Sequence, residues 1–472
     1  MAAGKKTVAH QGSRVTGTGE RLPVIAVVGG GFGGSYAIRE LLRRRGKRRF
    51  RIILFEPRAR FVFTPLLHEV ATAGLETEHA TVPYAALFPP ETLEFRRERV
   101  TAIDAGKRHV VTADGVTRYD RLILATGATT NFYGNEAARQ IAFSLKDDGD
   151  ALRIRFALEQ ALLDAAQRRS PVEQRQLLSV IVVGGGPTGV ELVAEIAQFF
   201  RYRIRKQYPM IARDAPCVTL VQATQEILPG FSVRFRKAAL KGLERLGIGV
   251  KAGLSVTNVL KSGVVCENQQ KETVSLRSSL TVWVAGITPA KVPLSPDSAG
   301  QRCYVTGQDL AVNGLPGAFA LGDAAMYDPA LKLPRTPALA QAAVQQAAVV
   351  AENILASMDG KKTRTFVYRS RGTLVSLGQR NAVGELSTPL GTLFLNGFFA
   401  WWLWRTVYLF KFLDAKQQAR SAATWTARLF TRRSAAAPEA APVPGRKEEE
   451  ESGNEPSRPE GSGFGRRGKK PS

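Results

Sequence analysis

Two glycine clusters, Gly29-Gly-Gly-Phe-Gly-Gly34 and Gly184-Gly-Gly-Pro-Thr-Gly189, are the residues whose types and spacing most directly imply chemistry. In a strand–turn–helix unit the first glycine (Gly29, Gly184) makes the tight turn, and the second (Gly31, Gly186) lets a pyrophosphate approach the backbone. The third (Gly34, Gly189) lets helix and strand pack closely, while Phe32, Gly33, Pro187 and Thr188 complete the two loops. The helix N-terminus then presents free N–H groups to the anion. One cluster alone is a weak signal. Two imply that one chain holds two dinucleotides, and hence redox chemistry.

The flanking segments supply the elements such loops need. Val24–Val28 and Val180–Val183 read as buried strands before the loops, and Tyr36 to Leu42 and Val190 to Phe200 as helices after them. Ile52–Phe55 reads as the next strand and ends on Glu56, about 20 residues past the third glycine, where a carboxylate can accept hydrogen bonds from a ribose. In the second unit the matching strand, Cys217–Val221, ends on Gln222, an amide where an acid is expected. Three further apolar runs end in glycine turns: Tyr119 into Ala125-Thr126-Gly127, Leu280 into Gly286, and Ala318 into Gly322-Asp323.

Between these, Phe63–Val70, with Thr64 and Pro65, reads as a loop, and Asp147–Arg169 as a charged helix. Arg201–Pro216 reads as a basic, aromatic insertion, and Pro337–Leu355 as an Ala/Gln-rich helix. Thr373–Leu377 and Ala382–Leu386 read as strands of a smaller sheet. Leu393–Trp404 is too short and interrupted for a membrane span. Its three tryptophans and flanking cations fit a helix lying in a membrane interface, with a buried packing helix as the alternative, and Ala423–Phe430 continues the pattern.

At 472 residues the chain exceeds a single core. The expected fold is α/β: two Rossmann-like dinucleotide-binding domains, the second inserted in the first, and a small C-terminal α+β domain with amphipathic membrane-anchoring helices. The expected division is 1–22 disordered, 23–145 with 300–365 as the first domain, 146–299 as the second, 366–432 as the C-terminal domain and anchor, and 433–472 as a disordered tail. Cys217, Cys266 and Cys303 form no CxxC or CxxxxC pair, which argues against a disulfide framework and a redox dithiol. Lys and Arg outnumber Asp and Glu by 66 to 41, a net charge of +25. The run Arg43–Arg49 suits either a solvated helix C-terminus or an anionic membrane surface. No nucleic-acid-binding motif accompanies the charge, which disfavours that partner.

Phe63–Gly74, Ala125–Gly127, Gly184–Leu192, Gly322-Asp323, Ala340–Gln346 and the aromatic C-terminal segment together resemble the two-dinucleotide-domain flavoproteins that include glutathione reductase. Within these the chain is most similar to the type II NADH:quinone oxidoreductases, over roughly residues 23–432. The resemblance implies FAD on Gly29, Gly31 and Gly34, with Glu56 at its ribose and Asp323 at its ribityl–phosphate portion. It implies NADH or NADPH on Gly184, Gly186 and Gly189, with two electrons passing to a membrane quinone without proton pumping. Gln341 and Gln345, one helical turn apart, are assigned to a quinone carbonyl. Glu191 is assigned to the nicotinamide–flavin contact and to proton delivery, and stabilisation of the helix dipole is its plainer role. The missing cysteine pair removes dithiol and sulfide chemistry, and no metal is expected. Gln222 leaves the choice between NADH and NADPH open. The resemblance also implies peripheral attachment to the cytoplasmic face of the cell membrane, with an organellar inner membrane as second choice, and a homodimer. Two competing readings are a soluble NAD(P)H-dependent flavoprotein reductase with another acceptor, and a redox-sensing or nucleic-acid-associated flavoprotein.

Overall fold

The β-branched run Val24–Val28 is buried along its whole length, and such a strand needs cover on both faces. In the computed structural model, which describes residues 21–295 and 303–411, it lies centrally in a five-stranded sheet. The strand order is Ala318–Ala320, Arg121–Leu124, Val24–Val28, Arg51–Phe55, Glu94–Arg96, and every pairing is parallel. A second parallel sheet repeats the plan in the order Gly249–Ala252, Cys217–Gln222, Ser179–Val183, Leu280–Trp283. Each parallel sheet has an antiparallel companion between its third and fourth strands in sequence. These are Val100–Asp104, His109–Thr112 and Gly115–Arg118 in the first, and Ser255–Leu260, Gly263–Glu267 and Thr273–Arg277 in the second. The expected α/β class is what the chain adopts, and Ala318–Ala320 returns to the first sheet after the second is complete.

The glycine loops connect these sheets to two helices, Phe32–Arg44 and Pro187–Lys206. Gly29 and Gly184 sit at φ +98° and +115°, and a Cβ on either would strike the backbone of Ala125 or Ala285. A Cβ on Gly34 or Gly189 would collide with the carbonyl oxygen of Gly29 or Gly184. Nothing lies within 4 Å of where a Cβ on Gly31 or Gly186 would stand.

Three segments differ from their sequence reading. Phe63–Val70 is not a loop but a 3-10 turn, Thr64–Leu66, leading into the helix Leu67–Ala71, because Leu66, Leu67, Val70 and Ala71 are all core residues. Arg201–Lys206 is not part of an insertion but the end of the second glycine helix, which continues because Phe199, Phe200 and Ile204 stay buried. Arg203 is buried with them and ion-pairs with Glu159. Leu393–Asn396 is strand rather than helix, pairing with Ala382–Thr388, which also pairs with Thr373–Ser376.

The basic run resolves towards internal pairing. Arg43 and Arg44 close the last turn of the first glycine helix on Glu40, and Arg48 reaches Asp359 at 2.6 Å. The aromatic helix, Gly397–Lys411, has a buried side and an exposed side. Ala400, Trp401 and Trp404 are buried, whereas Phe398, Phe399 and Trp402 are 47%, 75% and 55% exposed. Among the described residues no helix is long and apolar enough to cross a membrane. The N-terminal and tail segments and Ala423–Phe430 lie outside the described residues.

The two kinds of glycine predict opposite responses to a methyl group. Gly34→Ala should cost about 1–3 kcal/mol through overpacking against the Gly29 carbonyl. Gly31→Ala should leave the thermal unfolding midpoint of the ligand-free protein nearly unchanged, a difference that differential scanning fluorimetry measures directly.

Candidate active site

A continuous cleft of about 910 Å³ joins both glycine units to the C-terminal domain. Its wall brings together Gly29, Gly31, Phe32, Gly33, Glu56, Thr64, Pro65, Ala125, Thr126, Gly127, Gly322 and Asp323, drawn from the first unit. Pro187, Thr188 and Glu191 enter from the second glycine helix, and Gln341 and Gln345 from the glutamine helix Ala340–Met358. Of the other expected residues, Gly34 lies packed under Gly29. Gly184, Gly186, Gly189, Gln222 and Gly286 lie outside this wall, around the second loop.

Glu56 fixes the first loop. Its Oε2 accepts from Gly30 N at 2.8 Å, and its Oε1 accepts from Arg58 N and Nε at 3.1 and 2.8 Å. Burial alone would raise the Glu56 pKa, but the Arg58 pair and the Gly30 hydrogen bond outweigh it and hold the carboxylate ionised. Tyr84 Oη donates to Gly30 O at 2.8 Å from the other side. Neither Arg58 nor Tyr84 stood out in the sequence, although an arginine two residues beyond the ribose acid was a usable signal. Across the cleft, burial raises the Asp323 pKa against the pull of Lys146, and burial lowers that of Lys146.

Gln222 does in the second unit what Glu56 does in the first. Its Oε1 accepts from Gly185 N at 2.6 Å, and its Nε2 donates to Thr224 Oγ1 at 2.6 Å. Both units therefore tie the residue after the first glycine to the end of the neighbouring strand, one through a carboxylate and one through an amide.

The deepest part of the site is assembled from four elements. His68, on the helix Leu67–Ala71, has Nδ1 3.8 Å from Glu191 Oε2. Glu191 Oε1 accepts from Ser376 N at 3.1 Å, on the first strand of the C-terminal sheet. From the aromatic helix, the Trp404 ring lies 5.9 Å from the His68 ring, and Arg405 reaches Glu69 at 3.5 Å. Burial pushes the Glu191 pKa up to about 8, with Glu195 and Glu69 adding to it and hydrogen bonds from Ser376 and Trp404 opposing it. Burial, then the Arg405 charge, pushes His68 down to about 3. The two side chains therefore meet at neutral pH as a protonated acid and a neutral imidazole, not as an ion pair.

The three glutamines of the Ala340–Gln346 motif have separate partners. Gln345 Nε2 donates to Arg369 O at 2.9 Å while its Oε1 accepts from Arg369 N, and Gln341 Nε2 donates to Gly372 O at 3.2 Å. Gln346, which did not stand out in the sequence, is buried and accepts from Gly322 N at 2.8 Å. Gln341 and Gln345 thus clamp the segment before the C-terminal sheet to the cleft wall, and each amide nitrogen keeps one further N–H.

Residues 23–347 match the family model described as pyridine nucleotide-disulphide oxidoreductase. The chain belongs to that family. Residues 370–434 of this oxidoreductase match the NDH2 C-terminal domain. It is 28% identical over 432 residues to the type II NADH:quinone oxidoreductase Ndh of Mycobacterium tuberculosis, covering 87% of this chain and 88% of that one. It is also 28% identical to the type II NADH:quinone oxidoreductase of Staphylococcus aureus, covering 76% and 89%. Among solved structures, NDH2 from Plasmodium falciparum in complex with NADH has the same fold, with a TM-score of 0.77 and 21% identity over 87% of this chain and 99% of that one. These findings bear out the family resemblance read from the motifs.

The raised Glu191 pKa has a consequence for stability. Between the ordinary 4.5 and about 8, the folded chain holds a proton that the unfolded chain has released. This contribution is therefore most favourable below 4.5, declines as pH rises, and is flat above about 8. Glu191→Gln should gain thermal stability relative to the parent across that window; His68 stays in both proteins, so the difference reports Glu191.

Proposed function

We propose that this chain is a membrane-associated, FAD-dependent NAD(P)H:quinone oxidoreductase that does not translocate protons. The observation that carries the reading is the single cleft, which runs from the first glycine loop past Glu191 to Gln341 and Gln345. A hydride donor, a flavin and an acceptor would share one space there. The fit to FAD rests on the open backbone at Gly31, at the N-terminus of a helix of 13 residues, with Glu56, Ala125–Gly127 and Gly322-Asp323 around it. FAD, when bound, would take up a hydride and release two electrons to a second acceptor.

The chain's own residues have distinct tasks in this reading. Gly186 offers the second pyrophosphate the same open backbone at the N-terminus of a helix of 20 residues. Gln341 and Gln345 direct their remaining N–H groups to a quinone carbonyl. Glu191, protonated at neutral pH, is a proton source beside the acceptor. Phe398, Phe399 and Trp402 give the aromatic helix an apolar outer face suited to a lipid interface, and the +25 charge favours anionic lipid.

The decisive experiment is NADH and NADPH oxidation by the purified protein with a short-chain ubiquinone, a naphthoquinone and ferricyanide, with and without anionic liposomes. Flavin absorbance that bleaches with NADH and returns with quinone supports the reading; quinones that leave the bleached flavin unchanged sink it. Replacing Phe398, Phe399 and Trp402 together by serine should abolish liposome co-sedimentation while NADH–ferricyanide turnover persists. Replacing Gln222 by Glu keeps an acceptor for Gly185 N and restores a negative charge, so the NADH/NADPH ratio of kcat/KM should rise by about tenfold. An unchanged ratio would remove Gln222 from nucleotide selection.

A further inference from the structure

His68 is a buried titratable group beside the cleft that the proposed function leaves unused. It is 2% exposed, borders the cleft, and turns Nδ1 to Glu191. Its second nitrogen, Nε2, is buried and has no hydrogen-bond partner among the described residues. Leaving a buried N–H or lone pair unsatisfied is costly, so such an atom at a cleft wall is suited to a ligand group. The two imidazole nitrogens face different sides of the ring, which makes the side chain a bridge with one end on Glu191.

We propose that His68 carries the proton held by Glu191 to the acceptor bound in the cleft. The inference rests on the quinone reading above. NADH delivers a hydride, two electrons and one proton, whereas conversion of a quinone to a quinol takes two electrons and two protons. One further proton is required in each turnover. The Glu191 O–H passes its proton to His68 Nδ1 as the Nε2–H proton passes to the acceptor oxygen. The Nδ1 proton then returns to the Glu191 carboxylate while Nε2 takes up a proton from water, so both groups regain their starting protonation. The 3.8 Å between Nδ1 and Oε2 must shorten for the transfer, as catalytic hydrogen bonds commonly do when the ligand arrives.

The surroundings set the protonation states. Glu69 lies on the same helix as His68, Glu195 one turn beyond Glu191, and Arg405 on the aromatic helix. Arg405 pairs with Glu69, and its charge works against a standing imidazolium. The acidic neighbours Glu195 and Glu69, with burial, keep the starting proton on Glu191. The relay thus begins loaded at the acid and empty at the imidazole.

The test uses the full-length holoenzyme on anionic liposomes and compares His68→Gln with the parent. Ferricyanide accepts electrons without protons, so the ratio of ubiquinone to ferricyanide turnover isolates the proton step. That ratio should fall by about a hundredfold in the variant, the lower end for a lost general acid. An independent readout is the infrared carbonyl stretch of the Glu191 carboxylic acid, identified by its loss in Glu191→Gln; it should shift in His68→Gln. Both turnovers falling together, or neither falling, would overturn the proposal. If the variant folds poorly, the parent decides: deuterated water should slow ubiquinone turnover and not ferricyanide turnover, and equal slowing overturns it. A parent protein that bleaches with NADH but reduces no quinone overturns the quinone reading itself.

Discussion

The contact between the third glycine of each loop and the carbonyl oxygen of the first is the constraint on which the site depends. Gly34 lies against Gly29, and Gly189 against Gly184, too closely for any side chain. Only at that separation does the helix start directly beneath the strand end, so that its free N–H groups point along the sheet's carboxyl edge. The open positions, Gly31 and Gly186, follow from the closed ones. The chain crowds its backbone at one glycine and leaves space three residues earlier, where an anion needs it.

That geometry is built twice, and the copies differ in one chemical respect. Both loops anchor the residue after the first glycine to the end of the next strand, through Glu56 at Gly30 and through Gln222 at Gly185. The carboxylate also holds Arg58, and the amide instead donates to Thr224. A permanently charged anchor suits a site with a resident ligand, since the ion pair stiffens the loop whether or not the ligand is present. A neutral anchor imposes no charge on a nucleotide that comes and goes.

The architecture was legible in the sequence because glycine spacing and β-branched runs are local signals, and both sheets are assembled from them. The segment Phe63–Val70 misled because Thr64 and Pro65 mark a turn, while the helix that follows is only five residues long and owes its existence to burial, not propensity. That Gln341 and Gln345 share a helix face was legible, but not their clamping of Arg369 and Gly372, which is a contact between distant segments. The aromatic helix shows the same limit. Three tryptophans in four residues, Trp401, Trp402 and Trp404, indicate amphipathicity, but which of them turn inward depends on the sheet they pack against.

The cluster around Glu191 was the least legible part, because its chemistry comes from packing rather than residue order. His68, Glu191, Ser376 and Trp404 belong to four elements, and each is nine-tenths or more buried. Exposed to water, Glu191 and His68 would be an ordinary carboxylate and an imidazole near neutrality. Enclosed, each finds its charged form too costly, and the pair exchanges an ionic contact for a neutral donor and acceptor. The cation that acts on His68 among the described residues, Arg405, is already paired with Glu69, so it discourages a charged His68 without drawing the proton from Glu191. Because Arg405 and Trp404 sit on the inner side of the helix whose outer side carries Phe398, Phe399 and Trp402, the exposed aromatic surface and the buried cluster around Glu191 share one helix. A displacement of that helix would alter the enclosure that sets both protonation states.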